Sequence, residues 1–343
     1  MTLAARLATP TAYRECFLGR LAAVYGSGRR TNHSLVSLNR DWSSESIFAK
    51  VGIDSRPVSA PGETATDLAE RAAQAAMAAG SCDSRSIDCL ILVTQSPDYL
   101  LPSSACILQH RLGLRDSVAA FDVGLGCSGF NYALWLGRAL IRSQQASRIL
   151  IICAETYSRY CDPHDISTVT LFGDGAAAAI LQADETDTVA TIGESVLGTD
   201  GSGAEDLIVR EGGARARAGG TSQAAQQPVL CMDGPSVFRF ALDRVRTACD
   251  ELLANVHLAW TDIDVVLCHQ ANRFMLQALQ KQFGLDDVRM PIDVRDIGNL
   301  STASLPVHIA RWLESRRERA VKHSLAVGFS VGYSWGATHI TWN

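Results

Sequence analysis

Residues 122–130 (DVGLGCSGF) form a glycine-rich turn between an apolar segment and an amphipathic one. The apolar residues 118–123 predict a strand, and residues 128–143 predict a helix. The glycines allow a sharp turn, so Cys127 is expected just before the N-terminus of that helix. There the positive end of the helix dipole would lower the pKa of the thiol and favour the thiolate. Cys127 is therefore a candidate nucleophile, although a buried structural role is the default for a cysteine.

Apolar and amphipathic segments alternate on both sides of this turn. Short apolar runs bounded by turn residues are typical of strands buried on both faces, and alternation of strands with helices predicts an α/β fold. The predicted strands lie at 15–26, 86–93, 118–123, 148–154 and 176–181, and the predicted helices lie at 64–79, 103–112 and 128–143.

The second part of the chain repeats these landmarks in the same order. Residues 86–96 (SIDCLILVTQS) match residues 262–272 (DIDVVLCHQAN). Each segment leads to a helix that ends in Gly-Leu, then to an Asp-Val strand end at 121–123 or 292–294, and then to a glycine-containing turn. Four landmarks in one order indicate two pseudo-duplicated halves packed as one unit. We expect the N-terminal half, with the cysteine, at 1–190 and the C-terminal half, with a histidine and an asparagine, at 191–343.

Two polar residues of the second half are candidates to work with Cys127. His269 follows the predicted strand in CHQANRF (268–274), and Asn299 lies in the turn that corresponds to the cysteine turn. Functional groups of α/β sheets gather at the carboxyl ends of strands, so the three side chains are expected on one side of the molecule. A histidine and an amide can both donate hydrogen bonds to an enolate oxygen. The competing interpretations are a structural histidine and a turn or helix-capping asparagine.

Composition excludes several classes of function. The chain has 343 residues, of which 47% are apolar and 20% charged, with a net charge of -5, so nucleic-acid binding is not expected. Its ten cysteines include no CxxC pair and no zinc spacing, so we expect free thiols, no metal and a reducing cytoplasmic compartment. The first residues lack a sustained apolar region, and no apolar run is long enough to span a membrane.

Seven motifs together resemble the β-ketoacyl-acyl-carrier-protein synthase III family of the thiolase superfamily. They stand in order along residues 14–342 and include DVGLGCSGF, the cysteine turn. The others are PSSACILQ (102–109), CDPHD (161–165), LFGDGAAAAIL (171–181), HQAN (269–272), GNLSTAS (298–304) and FSVGYSWG (329–336). The resemblance implies a five-layered αβαβα thiolase fold, a homodimer and a Cys127, His269 and Asn299 triad.

The resemblance also implies a two-step reaction. An acyl thioester of CoA or acyl carrier protein transfers its acyl group to Cys127, and the backbone N–H groups of Cys127 and Val331 stabilise the oxyanion. His269 and Asn299 then hold a malonyl thioester whose loss of CO₂ gives the attacking enolate. Phe329 matches the aromatic residue beside the thiol, and Gly332 allows the backbone to approach a ligand. No cofactor beyond the thioester substrates is expected.

The sequence departs from the family where CoA enters. Typical members stack a Trp and an Arg on the CoA adenine, but Ser46 and Ile166 stand at these positions. Lys50 can still contact a phosphate. Leu101 stands where the family often has a Phe that lines the partner's acyl pocket, which favours a longer or branched acyl chain. We therefore expect a specialised biosynthetic enzyme, with a carrier-bound donor or an unusual CoA ester, and not acetyl-CoA priming.

Two alternatives remain open. An acyltransferase would move the acyl group from Cys127 to an alcohol or amine, and CO₂ release from a malonyl thioester would distinguish it. A non-catalytic partner subunit of a ketosynthase pair would be a protein of another class, but such subunits usually lose the reactive cysteine.

Overall fold

The computed structural model describes residues 13–38, 41–218, 227–315 and 320–343. The strands are β1 (Phe17–Tyr25), β2 (Gly28–Thr31), β3 (Ser55–Val58), β4 (Cys89–Val93), β5 (Ala119–Val123), β6 (Arg148–Glu155), β7 (Gly175–Gln182), β8 (Ala190–Thr199), β9 (Leu207–Val209), β10 (Leu230–Met232), β11 (Val265–Cys268), β12 (His323–Ser330) and β13 (Ser334–Trp342). The helices are α1 (Asn32–Val36), α2 (Ser44–Val51), α3 (Ala65–Ala79), α4 (Ser104–Arg111), α5 (Gly129–Arg142), α6 (Ile166–Val169), α7 (Ala214–Ala218), α8 (Gly234–Asn255), α9 (Arg273–Phe283) and α10 (Ser304–Ser315). Residues 1–12, which bear on the expected lack of a signal peptide, lie outside the described part.

The main strands follow one hydrogen-bonded order, β11-β12-β13-β8-β1-β7-β6-β4-β5. Among the residues that the structure describes, two register pairs join β8 to β1, Phe17 with Thr191 and Leu18 with Ala190. The order therefore divides into β1-β7-β6-β4 and β8-β13-β12-β11, with β5 added to the first. In both groups the last pair is parallel and the other pairs are antiparallel. This matching order agrees with the predicted repeat, while a boundary at 190, where β8 begins, stays a prediction.

Alanines explain how α3 lies close to the first sheet. Thr64 caps the helix in a capping box with Asp67, which fixes where it starts. The buried face of α3 is mostly alanine, and it packs against Ala176 and Ala178 of β7. Small side chains on both surfaces allow the helix and the strand to approach closely. The alanine-rich segment 176–181 is a strand, as predicted, because both of its faces are covered.

Three core clusters define five layers, as expected for the thiolase fold. The outer helix α3 packs on one face of the first sheet. The opposite face of β7 shares a core with α5, α10 and one face of β12 and β13. The remaining face of β12 and β13 packs on α8 and α9. The middle helices α5 and α10 are therefore covered on two sides, and both begin beside the candidate site.

One predicted strand is absent from the second half. Residues 291–294 have no strand geometry, whereas the matching residues 119–123 form β5. The backbone N–H of Asp293 donates instead to the side-chain oxygen of Gln270 at 2.7 Å. A side chain thus takes a hydrogen bond that a neighbouring strand would otherwise provide. No helix among the described residues has the length and apolar composition needed to cross a bilayer.

Candidate active site

The Cys127 turn joins β5 to α5 and is tightly packed. A Cβ at Gly126 would lie 2.6 Å from the side-chain oxygen of Gln95 and closer still to the hydroxyl of Ser330. Only glycine fits there without displacing these neighbours. The backbone N–H of Cys127 donates to Ser330 Oγ at 3.0 Å. The N–H that was expected to hold the oxyanion is therefore already hydrogen-bonded.

The electrostatic setting of Cys127 corrects the expectation of a lowered pKa. The thiol is buried, and burial raises its pKa to about 12. The hydroxyl groups of Ser301 and Ser330 and the N–H of Cys127 act in the opposite direction, while the carboxyl group of Glu155 adds to the increase. Helix α5 begins at Gly129, two residues after the thiol. Loss of solvation therefore outweighs the helix dipole and the hydroxyl donors.

Asn299 is fixed by its own turn. Gly298 adopts a left-handed backbone with φ of +64°, and a Cβ there would lie 2.6 Å from the carbonyl of Leu171. Asn299 Oδ1 accepts from the N–H of Ser301 at 2.8 Å and from the hydroxyl of Ser304 at 3.2 Å. These donors identify the oxygen of the amide. No hydrogen bond from Asn299 Nδ2 joins it to the described residues, so the two amide hydrogens remain available.

The GDG segment holds the Asn299 turn in place. Gly173 N–H donates to the Asn299 carbonyl, and Asn299 N–H donates to the Leu171 carbonyl, both at 2.9 Å. The Asp174 carboxylate accepts from the N–H and hydroxyl of Ser158 and from the N–H of Ser59. The motif is thus a structural junction between the two halves, and in the first half it supports the turn that carries Tyr157.

His269 directly follows β11 and is almost completely buried. Its N–H donates to the Val327 carbonyl of β12 at 2.7 Å, and its ring packs edge-on against Phe329 with centroids 5.2 Å apart. Burial lowers its pKa to about 3, so the imidazole is neutral at physiological pH. Its Nδ1 is buried and takes part in no hydrogen bond within the described part of the chain.

A chain of contacts brings most of the predicted site residues together. Cys127 Sγ lies 3.8 Å from Ser301 Oγ, and the backbone N–H of Ser301 donates a hydrogen bond to Asn299 Oδ1. On the other side, Ser330 links the Cys127 N–H to β12, where Phe329 contacts His269. This places the Cys turn between the elements that carry the histidine and the asparagine.

The remaining predicted residues lie around this group or apart from it. Val331 lines an adjoining cavity, and Gly332 has φ of +122°. Lys50 is exposed in the last turn of α2, and Leu101 is 82% exposed. In the residues that the structure describes, no hydrogen bond or ring contact links Lys50 or Leu101 to Cys127.

The residues missed by sequence reasoning are polar groups beside the thiol. Gln95 follows β4, and its N–H donates to Glu155 at 3.0 Å. Tyr157 donates its hydroxyl proton to Gln95 Oε1 at 2.8 Å. Burial raises the pKa of Glu155 to about 8, although Ser96 and Gln95 hydrogen bonds oppose the change. The available signal was the polar run Thr-Gln-Ser directly after a buried strand, at the edge where α/β sites gather.

A cavity of about 570 Å³ is lined in part by Gln95, whose side chain packs against Gly126 of the cysteine turn. Its wall includes Gln95, Tyr157, Leu207, Leu230 and Val331, and it extends outward to the exposed Leu100. The wall is mainly apolar, which suits an acyl chain. Among the described residues, no three His, Cys, Asp or Glu side chains form a group that could hold a metal ion.

Comparison with known proteins identifies the family. The model of 3-oxoacyl-[acyl-carrier-protein] synthase III matches residues 121–201, and the model of its C-terminal part matches residues 253–342. The β-ketoacyl-[acyl-carrier-protein] synthase III of Neisseria meningitidis serogroup B is 36% identical over 321 residues, covering 92% of this chain and 98% of that protein.

Solved structures give the same result. A 3-oxoacyl-(acyl-carrier-protein) synthase III with 38% identity matches with a TM-score of 0.90, over 96% of this chain and 100% of that one. The priming β-ketosynthase of a polyketide biosynthetic pathway is 27% identical with a TM-score of 0.86, over 96% and 97% of the two chains.

Fold and relatives therefore define a condensing enzyme of the thiolase superfamily. Within that class, the chain belongs to the β-ketoacyl-acyl-carrier-protein synthase III family.

Proposed function

We propose that this enzyme loads an acyl group onto Cys127 and joins it to a malonyl thioester by decarboxylative Claisen condensation, in specialised metabolite, fatty-acyl or polyketide biosynthesis. The observation that carries the proposal is the contact chain around Cys127. Ser301 lies 3.8 Å from the sulfur and also fixes the amide of Asn299. The nucleophile and a free amide donor are thus held by one short segment.

In the first half-reaction, Cys127 attacks the carbonyl carbon of an acyl thioester. The new S–C bond forms as the bond to the CoA or carrier sulfur breaks, and the thiol proton ends on the leaving sulfur. His269 is neutral at physiological pH, so its ring has an unprotonated nitrogen through which that proton can pass to the leaving sulfur, and its low pKa makes it a relay and not a lasting proton acceptor. The N–H groups of Cys127 and Val331 are the proposed oxyanion donors, and the first must release Ser330 to act.

In the second half-reaction, a malonyl thioester occupies the same site. His269 and Asn299 donate to its thioester oxygen, so that loss of CO₂ leaves a stabilised enolate. The enolate carbon attacks the acyl-Cys127 carbonyl, the S–C bond breaks, and the β-ketoacyl product leaves. The proposal favours condensation over transfer to an alcohol or amine because Asn299 Nδ2 has no other role among the described residues.

The surface near α2 supports a donor other than acetyl-CoA. Ser46 is used in a capping box with Ser43, and Ile166 packs on the core, so neither offers an adenine-stacking group. The guanidinium groups of Arg273 and Arg295 lie over the Phe48 ring, with centroid distances of 4.5 and 5.4 Å. Arg295 is already paired with Asp54 at 2.6 Å, so Arg273 and Lys50 are the groups that offer positive charge to a phosphopantetheine or CoA phosphate.

We also propose a cytoplasmic homodimer, with acyl carrier protein or CoA delivering the acyl group. Strand β5 is the last strand of its sheet, which leaves one edge available to a second copy. The loop residues Tyr99, Leu100 and Leu101 are 61%, 67% and 82% exposed, and such an apolar surface suits burial in a subunit interface.

Intact-protein mass after incubation with matched acyl-CoA and acyl-carrier-protein panels tests the proposal. We expect an acyl adduct on the wild type and none on Cys127→Ala, followed by CO₂ release and loss of the adduct when malonyl thioester is added. Loss of the adduct to an alcohol or amine without CO₂ would support the acyltransferase alternative. A folded, reduced protein that no donor acylates would overturn the proposal.

A further inference from the structure

The mainly apolar cavity that Gln95 lines also has polar groups on its wall. Gln95 and Tyr157 line it together with Leu207, Leu230 and Val331. Gln95 Oε1 packs against Gly126, since a Cβ at that glycine would lie only 2.6 Å away. The Gln95 amide therefore lies next to Gly126, the residue that precedes the proposed nucleophile.

Hydrogen bonds fix which end of the amide faces the cavity. Tyr157 is buried, and its ring packs against Phe172 and Tyr160 with centroids 5.0 and 5.8 Å apart. From that fixed position its hydroxyl donates to Gln95 Oε1 at 2.8 Å. The Gln95 backbone is held in turn by the buried carboxyl group of Glu155. The oxygen of the amide is thus engaged, and the side chain has little freedom to turn.

The nitrogen of the same amide is unused. No hydrogen bond from Gln95 Nε2 reaches another described residue, and it is absent from the fully buried polar atoms that lack a partner, so it has accessible surface. Because Gln95 lines the cavity, this donor is available to a ligand that enters it, and most of the cavity wall is apolar. An apolar acyl chain would cover this donor without satisfying it, which costs free energy.

We propose that Gln95, oriented by Tyr157, recognises an oxygen substituent on the acyl group, and that the preferred donors are acyl thioesters with a hydroxyl or carbonyl oxygen close to the thioester. The inference rests on the proposed acylation of Cys127. A purely apolar chain of equal length leaves the amide unpaired, so the site discriminates between two acyl groups of the same size. A site that hydrogen-bonds its substrate rejects analogues that lack the polar group far better than it rejects a change in length.

Two small thioesters of equal chain length test the inference, S-butyryl-N-acetylcysteamine and S-(3-hydroxybutyryl)-N-acetylcysteamine. Neither depends on a carrier or on CoA recognition. The rate of adduct formation on Cys127 is followed by intact mass. We expect the hydroxylated donor to acylate the wild type at least about tenfold faster. Gln95→Leu, which has a similar volume, removes that preference, so the ratio of the two rates falls to about one.

Control variants separate recognition from packing. Tyr157→Phe keeps the ring but frees the Gln95 amide to turn, so the ratio of the two acylation rates becomes smaller. Gln74→Leu, at an exposed glutamine of α3, leaves the preference unchanged. Equal rates of both donors on the wild type, or an unaltered preference in Gln95→Leu, would overturn the inference while leaving acylation of Cys127 established. No adduct from either donor would overturn it together with the proposed function.

Discussion

The backbone N–H of Cys127 donates to the hydroxyl oxygen of Ser330 at 3.0 Å. The two residues are 203 positions apart, and the bond joins the start of α5 in one half to the end of β12 in the other. Ser330 is buried, and its hydroxyl also helps to lower the pKa of the Cys127 thiol against the larger effect of burial. Ser330 is therefore expected to affect both the stability of the Cys127 thiolate and the availability of the Cys127 N–H as an oxyanion donor.

Ser330→Ala should slow alkylation of Cys127 by iodoacetamide about three- to tenfold at pH 8. Alkylation forms no oxyanion, so it reports the thiolate alone, and loss of a hydroxyl donor makes the thiolate less stable. The rate is measured by intact mass against pH. Ser334→Ala is the control, because that buried hydroxyl bonds to Ser128 and not to Cys127. An unchanged alkylation rate in Ser330→Ala would show that Ser330 does not activate the thiol.

Asn299→Asp should still accept an acyl group but condense roughly 10²–10³ times more slowly. Aspartate keeps an oxygen for the donors of Ser301 and Ser304, which preserves the turn, and loses the Nδ2 hydrogens proposed to hold the enolate. Single-turnover transfer of a radiolabelled acyl group, followed by malonyl thioester, separates the two half-reactions. Asn299→Ala also condenses poorly, and equal loss of both half-reactions in the aspartate variant would contradict the assignment.

Ionisation of His269 should not affect the rate of condensation between pH 5 and 8. Burial lowers its pKa to about 3, so the imidazole is already neutral across that range. The rate at which a preformed acyl-enzyme reacts with malonyl thioester is therefore expected to show no step near the ordinary histidine pKa of about 6.5. The measurement uses acyl-enzyme isolated before each pH jump. A step near that pH that disappears in His269→Asn would show that the site charges the imidazole.

The sequence was sufficient for the elements that local patterns define. Glycine turns, buried apolar runs and the repeated order of landmarks predicted an α/β fold and the segments that bear Cys127, His269 and Asn299, while the five layers were expected from the family resemblance. It misjudged residues 292–294, because the side chain of Gln270, distant in sequence, takes the hydrogen bond of Asp293.

The prediction that the pKa of the Cys127 thiol is lowered was wrong for a related reason. The helix N-terminus is visible in the sequence, but the extent of burial around the thiol depends on segments from both halves. Gln95, Glu155 and Tyr157 were likewise missed, since their roles arise only where β4, β6 and the turn after β6 meet. Local chemistry was therefore predictable, and long-range solvation was not.

Glu155 should make the protein less stable as pH rises from about 5 to 8. The pKa of Glu155 is about 8 in the folded protein, compared with 4.5 for a glutamate exposed to solvent, because burial disfavours the carboxylate. A raised folded pKa gives a stabilising contribution that is complete below the unfolded value and is lost as pH increases toward the folded value. The loss is at most about 1.4 kcal/mol per pH unit for one group.

Glu155→Gln isolates this contribution, since glutamine resembles the protonated carboxyl group and does not ionise. Urea unfolding at several pH values should show that the difference in stability between variant and wild type grows from pH 5 to 8 in favour of glutamine. His269 changes stability in the opposite direction below about pH 6.5 but is present in both proteins, so the difference cancels it. A difference that does not vary with pH would mean that Glu155 is ionised in the folded protein, held by the donors of Gln95 and Ser96.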